Sequence, residues 1–183
     1  MMPRLKYKWH FVLVLLCLAG LIFTPVTGQA QPGTAVRVDP ASVMLNPGES
    51  EVIEIWVDDV VGLRAFDIHV QFDPTRLSAD QLTDAEFIPG LFEASTNGVD
   101  NEAGLVKFGV VQGNVDPQSG SGVLFSFEIT AKDLPGKTHL SITLAELVGE
   151  DYFLISCETS RGIVQISGEP VPVYEAFLPL ILK

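Results

Sequence analysis

Cysteine, histidine and basic residues are all scarce in this 183-residue chain, and each shortage removes a class of function. Eleven Lys and Arg stand against 23 Asp and Glu. Three of the eleven, Arg4, Lys6 and Lys8, precede an apolar run near the N-terminus, whereas every acidic residue follows it, from Asp39 onward. Beyond that run, eight basic residues face 23 acidic ones, a net charge of −15. A surface of that sign repels phosphate backbones and anionic headgroups, which excludes nucleic-acid binding and membrane binding through a basic patch. The two cysteines are Cys17, inside the apolar run, and Cys157, in a strand-like apolar stretch. With Cys17 removed alongside a leader, no intrachain disulfide can form, and Cys157 reads as a buried, inert thiol.

The N-terminus has three parts. Met1 to His10 is basic, Phe11 to Phe23 is apolar, and Thr24 to Ala30 closes on Gly28-Gln29-Ala30, a small-x-small pattern that a signal peptidase can cut. The apolar part is about 13 residues, short of the roughly 20 a helix needs to cross a bilayer. Residues 1–30 therefore read as a secretory signal peptide cleaved after Ala30. Leu15-Leu16-Cys17 does not fit a lipoprotein signal. The expected product is secreted, extracellular or cell-surface associated, with no transmembrane helix in the mature chain.

From Val36 to Ile166, runs of about four to eight β-branched, aromatic and aliphatic residues alternate with turn clusters, an all-β pattern. Glu51 to Val57 lies between Asn46-Pro47-Gly48 and Asp58-Asp59. In the stretch Ala65 to Phe72, Phe66, Ile68, Val70 and Phe72 share one face, and Ala65, Asp67, His69 and Gln71 the other. Leu105 to Val111 places Val106, Phe108 and Val110 inward, opposite Lys107, Gly109 and Val111. Val123, Phe125, Phe127 and Ile129 oppose Leu124, Ser126, Glu128 and Thr130. Thr138 to Leu144, Phe153 to Cys157 and Ile163 to Ile166 add further strands, whereas Ser78 to Phe92 reads as a loop or helical turn over one end. The expected architecture is a two-sheet antiparallel β-sandwich over residues 34–167, its core supplied by the inner faces. Residues 168–183 read as a proline-containing linker followed by a short apolar tail, Phe177 to Lys183. That tail is either a frayed or edge strand or a surface-attachment signal.

Catalytic chemistry finds no support in motif or spacing. The mature chain holds two histidines, His69 and His139, neither beside a candidate nucleophile, and Gly120-Ser121-Gly122 reads as a turn rather than a nucleophile elbow. Two histidines and one distant cysteine give no zinc spacing. Asp58-Asp59 and Asn97 to Glu102 offer oxygen ligands but lack the alternating calcium loop, so they read as turns. A hydrolase built on two surface carboxylates survives only as a third reading. A non-catalytic binding module leads.

One stretch points to a family. Gly48 to Val57, followed by Gly62-Leu63-Arg64-Ala65-Phe66-Asp67-Ile68-His69-Val70-Gln71-Phe72-Asp73-Pro74-Thr75-Arg76-Leu77, resembles the cohesin domain, with Phe72 where the family usually has Tyr. Gly104-Leu105-Val106-Lys107-Phe108, Gly120 to Phe127 and Leu134-Pro135-Gly136-Lys137-Thr138 continue the resemblance in order, from Val36 to Ile166. It implies a jelly-roll topology of about nine strands. It also implies a binding surface for a dockerin, a small calcium-loaded helical module of secreted polysaccharide-degrading or surface proteins. Calcium is then expected on the partner, and no cofactor or metal on this chain. Asp67 matches the family position whose carboxylate hydrogen-bonds the dockerin helix, and Ala65 stands where Asn is frequent. On the implied surface, Ala65, Gly109, Val111 and Leu124 would form a small or apolar centre, with Asp67, His69, Lys107, Gln112, Ser126 and Glu128 as its polar rim.

Cohesins share their sandwich with carbohydrate-binding modules, so direct polysaccharide binding is the alternative. Sugar-binding faces present rows of exposed aromatics. Here the phenylalanines fall mostly inward, and Trp56, Phe92, Tyr152 and Tyr174 are scattered along the chain.

Overall fold

A computed structural model describes residues 33–168 apart from Gly90, Ser95 and Asn114. Residues 1–30, expected to be a signal peptide, and the expected linker and tail from Glu169 onward lie outside the described residues. Twelve strands are formed: β1 (Ala35–Asp39), β2 (Ser42–Leu45), β3 (Ser50–Gln71), β4 (Leu77–Asp84), β5 (Leu91–Glu93), β6 (Gly98–Asp100), β7 (Leu105–Gln112), β8 (Gln118–Ala131), β9 (Gly136–Gly149), β10 (Leu154–Ile155), β11 (Glu158–Ser160) and β12 (Gly162–Ile166). The fold is all-β, with no helix among the described residues. The excess over about nine strands comes from pieces of two or three residues, β5, β6, β10 and β11.

β3 organises the sandwich because its 22 residues serve both layers. Its first part, Ser50 to Val57, pairs with β1 on one side and β8 on the other. Its second part, Ala65 to Gln71, pairs with β7 and β9. Between them the ladder to β8 shifts register, and Asp59 and Gly62 take left-handed backbone angles, φ 52° and 67°. Bulges of this kind add twist and bend, which lets one strand pass from one layer to the other. β9 changes partners in the same way, pairing β12 through Gly136–Leu140 and β3 from Ser141 onward.

One layer therefore runs β11, β1, the first part of β3, β8, β4. The other runs β10, β9, the second part of β3, β7, with β5 and β6 at its edge. Most pairs are antiparallel, as expected. Two depart from that pattern: β1 with β11 and β12 with β2 are parallel.

Between the layers lies a phenylalanine cluster. The Phe108 ring on β7 stacks 4.9 Å from that of Phe125 on β8, and Phe125 also lies 6.4 Å from Phe66 and 6.3 Å from Phe127. Offset packing of this kind adds to the stabilisation from area buried. Ile53, Ile55, Ile68, Val70, Val106, Val110 and Ile129 surround it, all buried, so the alternation read along β3 and β7, and along β8 from Phe125 onward, is the core pattern.

The stretch from Ser78 needs correction. Rather than a loop or helical turn, Leu77–Asp84 is an edge strand paired with β8. Its alternation is short: Leu77 and Ala79 point inward, then a register shift between Asp80 and Thr83, with Gln81 at φ 48°, interrupts the pattern. After the strand, Ile88 is buried and Phe87 packs onto Gly122, where a Cβ would meet its ring at 2.6 Å.

Candidate binding face

The outer side of the β10–β9–β3–β7–β5/β6 layer carries three parallel bands of side chains. Directly opposed residues of an antiparallel ladder share a face, so the register alone assembles them. Leu154 faces Val148, Val148 faces Ala65, Ala65 faces Val111, and Val111 faces Phe92. This apolar band crosses five strands. Phe92 is 71% exposed, Leu154 66% and Val111 57%, so the band meets solvent where most apolar side chains of the chain are buried. The second band holds Glu146, Asp67 and Gly109, and the third Leu144, His69, Lys107 and Gly98.

Asp67 sits at the centre of the face. Its half-exposed carboxylate is 3.3 Å from His69 Nε2. The absent side chain of Gly109 makes room for it, because a Cβ there would lie 3.3 Å from Asp67 Oδ1. Asn97 holds Gly109 from the other side: the Gly109 N–H donates to Asn97 Oδ1 at 2.7 Å, and Asn97 Nδ2 donates to the Gly109 carbonyl at 3.0 Å. The Gly109 carbonyl also accepts from the Ala94 N–H at 2.9 Å, so the Asn97 amide adds to one backbone bond there and supplies the acceptor for the Gly109 N–H. Glu146 and Lys107 have no ion-pair partner among the described residues.

Six of the ten residues expected at the surface, Ala65, Asp67, His69, Lys107, Gly109 and Val111, come together here. The other four do not. Gln112 is buried at the end of β7, its Nε2 donating to the Asp116 carbonyl at 2.8 Å. Leu124 is fully buried: the β3–β8 ladder steps from Ile55–Phe125 to Trp56–Val123, and the extra residue, Leu124, turns into the core. Ser126 and Glu128 do point outward, but from β8 in the other layer, opposite Glu54 and Val52. In their place the structure supplies Phe92, Leu144, Glu146, Val148 and Leu154. The apolar residues among these gave no sign of a face, because β9 is apolar on both sides around Leu144–Val148.

The remaining polar groups have structural roles. Asp58 accepts from Arg37 Nε at 2.9 Å, and the Asp59 N–H donates to Ser121 Oγ. Asp100 accepts from the N–H groups of Glu102 and Ala103, and the Asn101 amide bonds both backbone groups of Ala79. No cluster of three His, Cys, Asp or Glu among the described residues could hold a metal ion. Burial pushes the Cys157 thiol up from its ordinary pKa, and its Sγ lies 3.8 Å from the Ala145 carbonyl. No helix among the described residues is long and apolar enough to cross a membrane.

No protein-family model matches the sequence, and no curated protein matches it. Solved structures do. The chain is similar to a cohesin of Clostridium thermocellum solved in a type I cohesin–dockerin complex, with a TM-score of 0.63 and 13% identity over 74% of this chain and 99% of that one. The chain has the cohesin fold. A non-cellulosomal cohesin of the archaeon Archaeoglobus fulgidus is similar at a TM-score of 0.61 and 14% identity, covering 74% of this chain and 92% of that one. A cohesin module of a Clostridium perfringens family 33 glycoside hydrolase gives 0.56 and 16%, over 75% and 97%. Because cohesins are β-sandwiches, the similarity agrees with the two layers described above.

Proposed function

We propose that this chain is a non-catalytic, exported protein-binding module that docks a dockerin-type module on the outer face of the β9–β3–β7 layer. The observation that carries the proposal is the placement of Asp67. A half-exposed carboxylate stands over a glycine at the centre of a sheet face, beside an apolar band open to solvent. A helix can rest on such a face, burying apolar side chains while its polar groups meet the carboxylate. The calcium belongs to the partner in this reading. The N-terminal pattern of basic, apolar and small residues supports export.

Direct sugar binding draws less from the geometry: Tyr152 and Phe153 are exposed between β9 and β10, at the opposite end of the face from Phe92, so the exposed aromatics form no row. Trp56 lies in the other layer, where the Arg37 guanidinium sits 4.8 Å over its ring and its Nε1 donates to Glu54. Phe92 stands at the far end of a band whose other members are aliphatic.

Calorimetric titration of the purified domain against a panel of recombinant calcium-loaded dockerins tests the proposal. Saturable binding by at least one, abolished by chelator, is the expected result. No binding across the panel, together with retardation in gels containing soluble glucans, would overturn it in favour of the carbohydrate reading.

A further inference from the structure

A crevice opens in the side of the sandwich where β9 passes from β12 to β3, between Leu140 and Ser141. Opposite it the chain crosses between layers: Glu158–Ser160 pairs with β1 as β11, and Gly162 returns to pair with Leu140 on β9. Ser141, Ile142, Thr159, Ser160, Arg161 and Ile163 line the crevice, around a volume of about 530 Å³. Small-molecule sites span roughly 300–1,000 Å³, so the space suits a compact ligand. Arg161 stands at the crossing, between two paired residues, Ser160 with Arg37 and Gly162 with Leu140. Gly162 packs tightly there, since a Cβ on it would meet Val38 Cγ1 at 2.7 Å, so the backbone that carries Arg161 is fixed. Ser141 lies seven residues from Val148 along β9, which puts the crevice about 20 Å from the apolar band.

Arg161 is the only charged residue of the six. The other arginines of the described residues all have partners: Arg37 bonds Asp39 and Asp58, Arg76 pairs with Asp73, and Arg64 donates to the Val115 carbonyl. In a chain this rich in carboxylates, Arg161 has no partner among the described residues, and neither do the hydroxyls of Ser141, Thr159 and Ser160. We infer that the crevice binds a single hexuronic acid unit, its carboxylate on the Arg161 guanidinium, its hydroxyls on Ser141, Thr159 and Ser160, and its apolar ring face against Ile142 and Ile163. The planar guanidinium presents a fork of N–H donors that matches a carboxylate. A hydroxyl both donates and accepts, so three of them suit a ligand that is itself hydroxylated better than a bare anion. The two isoleucines supply the apolar wall that small-molecule sites share. The net charge of −15 beyond the leader repels a polyanion, which selects one carboxylate rather than a run of them. This site is independent of the docking reading above.

The test is amide chemical-shift mapping of the chain without residues 1–30, titrated with sodium galacturonate and sodium glucuronate. Methyl galactoside, which lacks the carboxylate, and sodium acetate, which lacks the ring, are the controls. Saturable shifts at Ser141, Thr159, Ser160 and Arg161, with a dissociation constant of about 1 mM for at least one uronate and about tenfold weaker binding of each control, are the expected result. Arg161→Gln should weaken uronate binding about tenfold or more and leave the response to methyl galactoside unchanged. Arg161→Lys, which keeps the charge but loses the fork, should recover only part of that loss. Arg161 is exposed, and a thermal melt of each variant confirms that it folds. Acetate binding as tightly as the uronates would overturn the sugar assignment. Methyl galactoside binding as tightly as the uronates, with Arg161→Gln without effect on either, would overturn the role of the charge. No saturable shift in the crevice with any of these compounds would overturn the inference entirely, and dockerin binding would stand or fall separately.

Discussion

The Asp67 carboxylate lies 3.3 Å from the point that a Cβ on Gly109 would occupy, and that point is equally 3.3 Å from the Phe66 carbonyl oxygen. Any side chain at residue 109 would therefore press on Asp67. Gly109→Ala is expected to displace the carboxylate and weaken partner binding about tenfold, while Asp67→Ala weakens it at least as much. Both should leave stability within about 1 kcal/mol of wild type, since neither creates a cavity. Titration calorimetry paired with urea denaturation separates the two effects, and a variant that loses stability rather than affinity would contradict this role.

Gly104 presents the opposite case, a glycine required by the fold. Its φ is +66°, and a Cβ would stand 2.3 Å from the Phe72 carbonyl oxygen and 2.7 Å from Pro74 Cδ. The Phe72 N–H donates to the Gly104 carbonyl at 2.8 Å, so the two segments cannot separate freely. Gly104→Ala should cost about 2–4 kcal/mol in urea denaturation. A loss below about 0.5 kcal/mol would show that the turn relaxes easily.

Phe125 joins the two layers through Phe66 and Phe108. Phe125→Ala is expected to destabilise the domain by about 3–5 kcal/mol through lost burial and the cavity it leaves. Leu124→Ala, expected at about 2–5 kcal/mol, belongs with it: this leucine acts in the core, so its loss should appear in the melt and leave affinity per folded molecule unchanged.

Asp73 supplies a pH signature. The Thr75 hydroxyl donates to its Oδ1 at 2.6 Å and the Thr75 N–H at 2.9 Å, with Arg76 Nε 3.3 Å from Oδ2. The Thr75 hydroxyl bond holds the carboxyl below the usual range; burial opposes it in part, and the Thr75 backbone N–H and the charges of Arg76 and Lys132 add smaller effects in the lowering direction. A group with a depressed folded-state pKa stabilises above its unfolded value, about 3.9, and that stabilisation is lost as pH falls through the folded value. Asp73→Asn should lower stability at neutral pH by less than about 1 kcal/mol, because the side chain is partly exposed and screened. The difference should vanish once the pH falls below the folded-state value, and a gap that persists in strong acid would assign the effect to the turn geometry instead of the charge.

The alternation along Ala65–Phe72 and Leu105–Val111 was enough to place six surface residues on one face, because both strands have a clean polar side and a clean apolar side. The failures have physical causes of the same kind. A bulge in the β3–β8 ladder reverses the facing of Leu124, and a bulge leaves no mark on period-two alternation until the partner's register is known. The alternation along β8 turns Ser126 and Glu128 outward, but which layer β8 joins depends on β3 crossing between layers near Asp59 and Gly62. Leu144, Val148 and Leu154 escaped because they belong to strands that are apolar on both faces or only two residues long. Edge strand β4 carries little signal in the sequence because only Leu77 and Ala79 contribute to its buried side before Gln81 breaks the pattern.

The central claim is that the partner docks on the β9–β3–β7 face and not on the β8 face of the other layer. Amide chemical-shift mapping of the labelled domain, titrated with an unlabelled calcium-loaded dockerin that binds it, tests this most directly. The account predicts the largest shifts at Ala65, Asp67, Gly109, Val111 and Glu146, with Val52, Ser126 and Glu128 unmoved. Shifts concentrated at Val52, Ser126 and Glu128, with Asp67 and Gly109 unmoved, would contradict it.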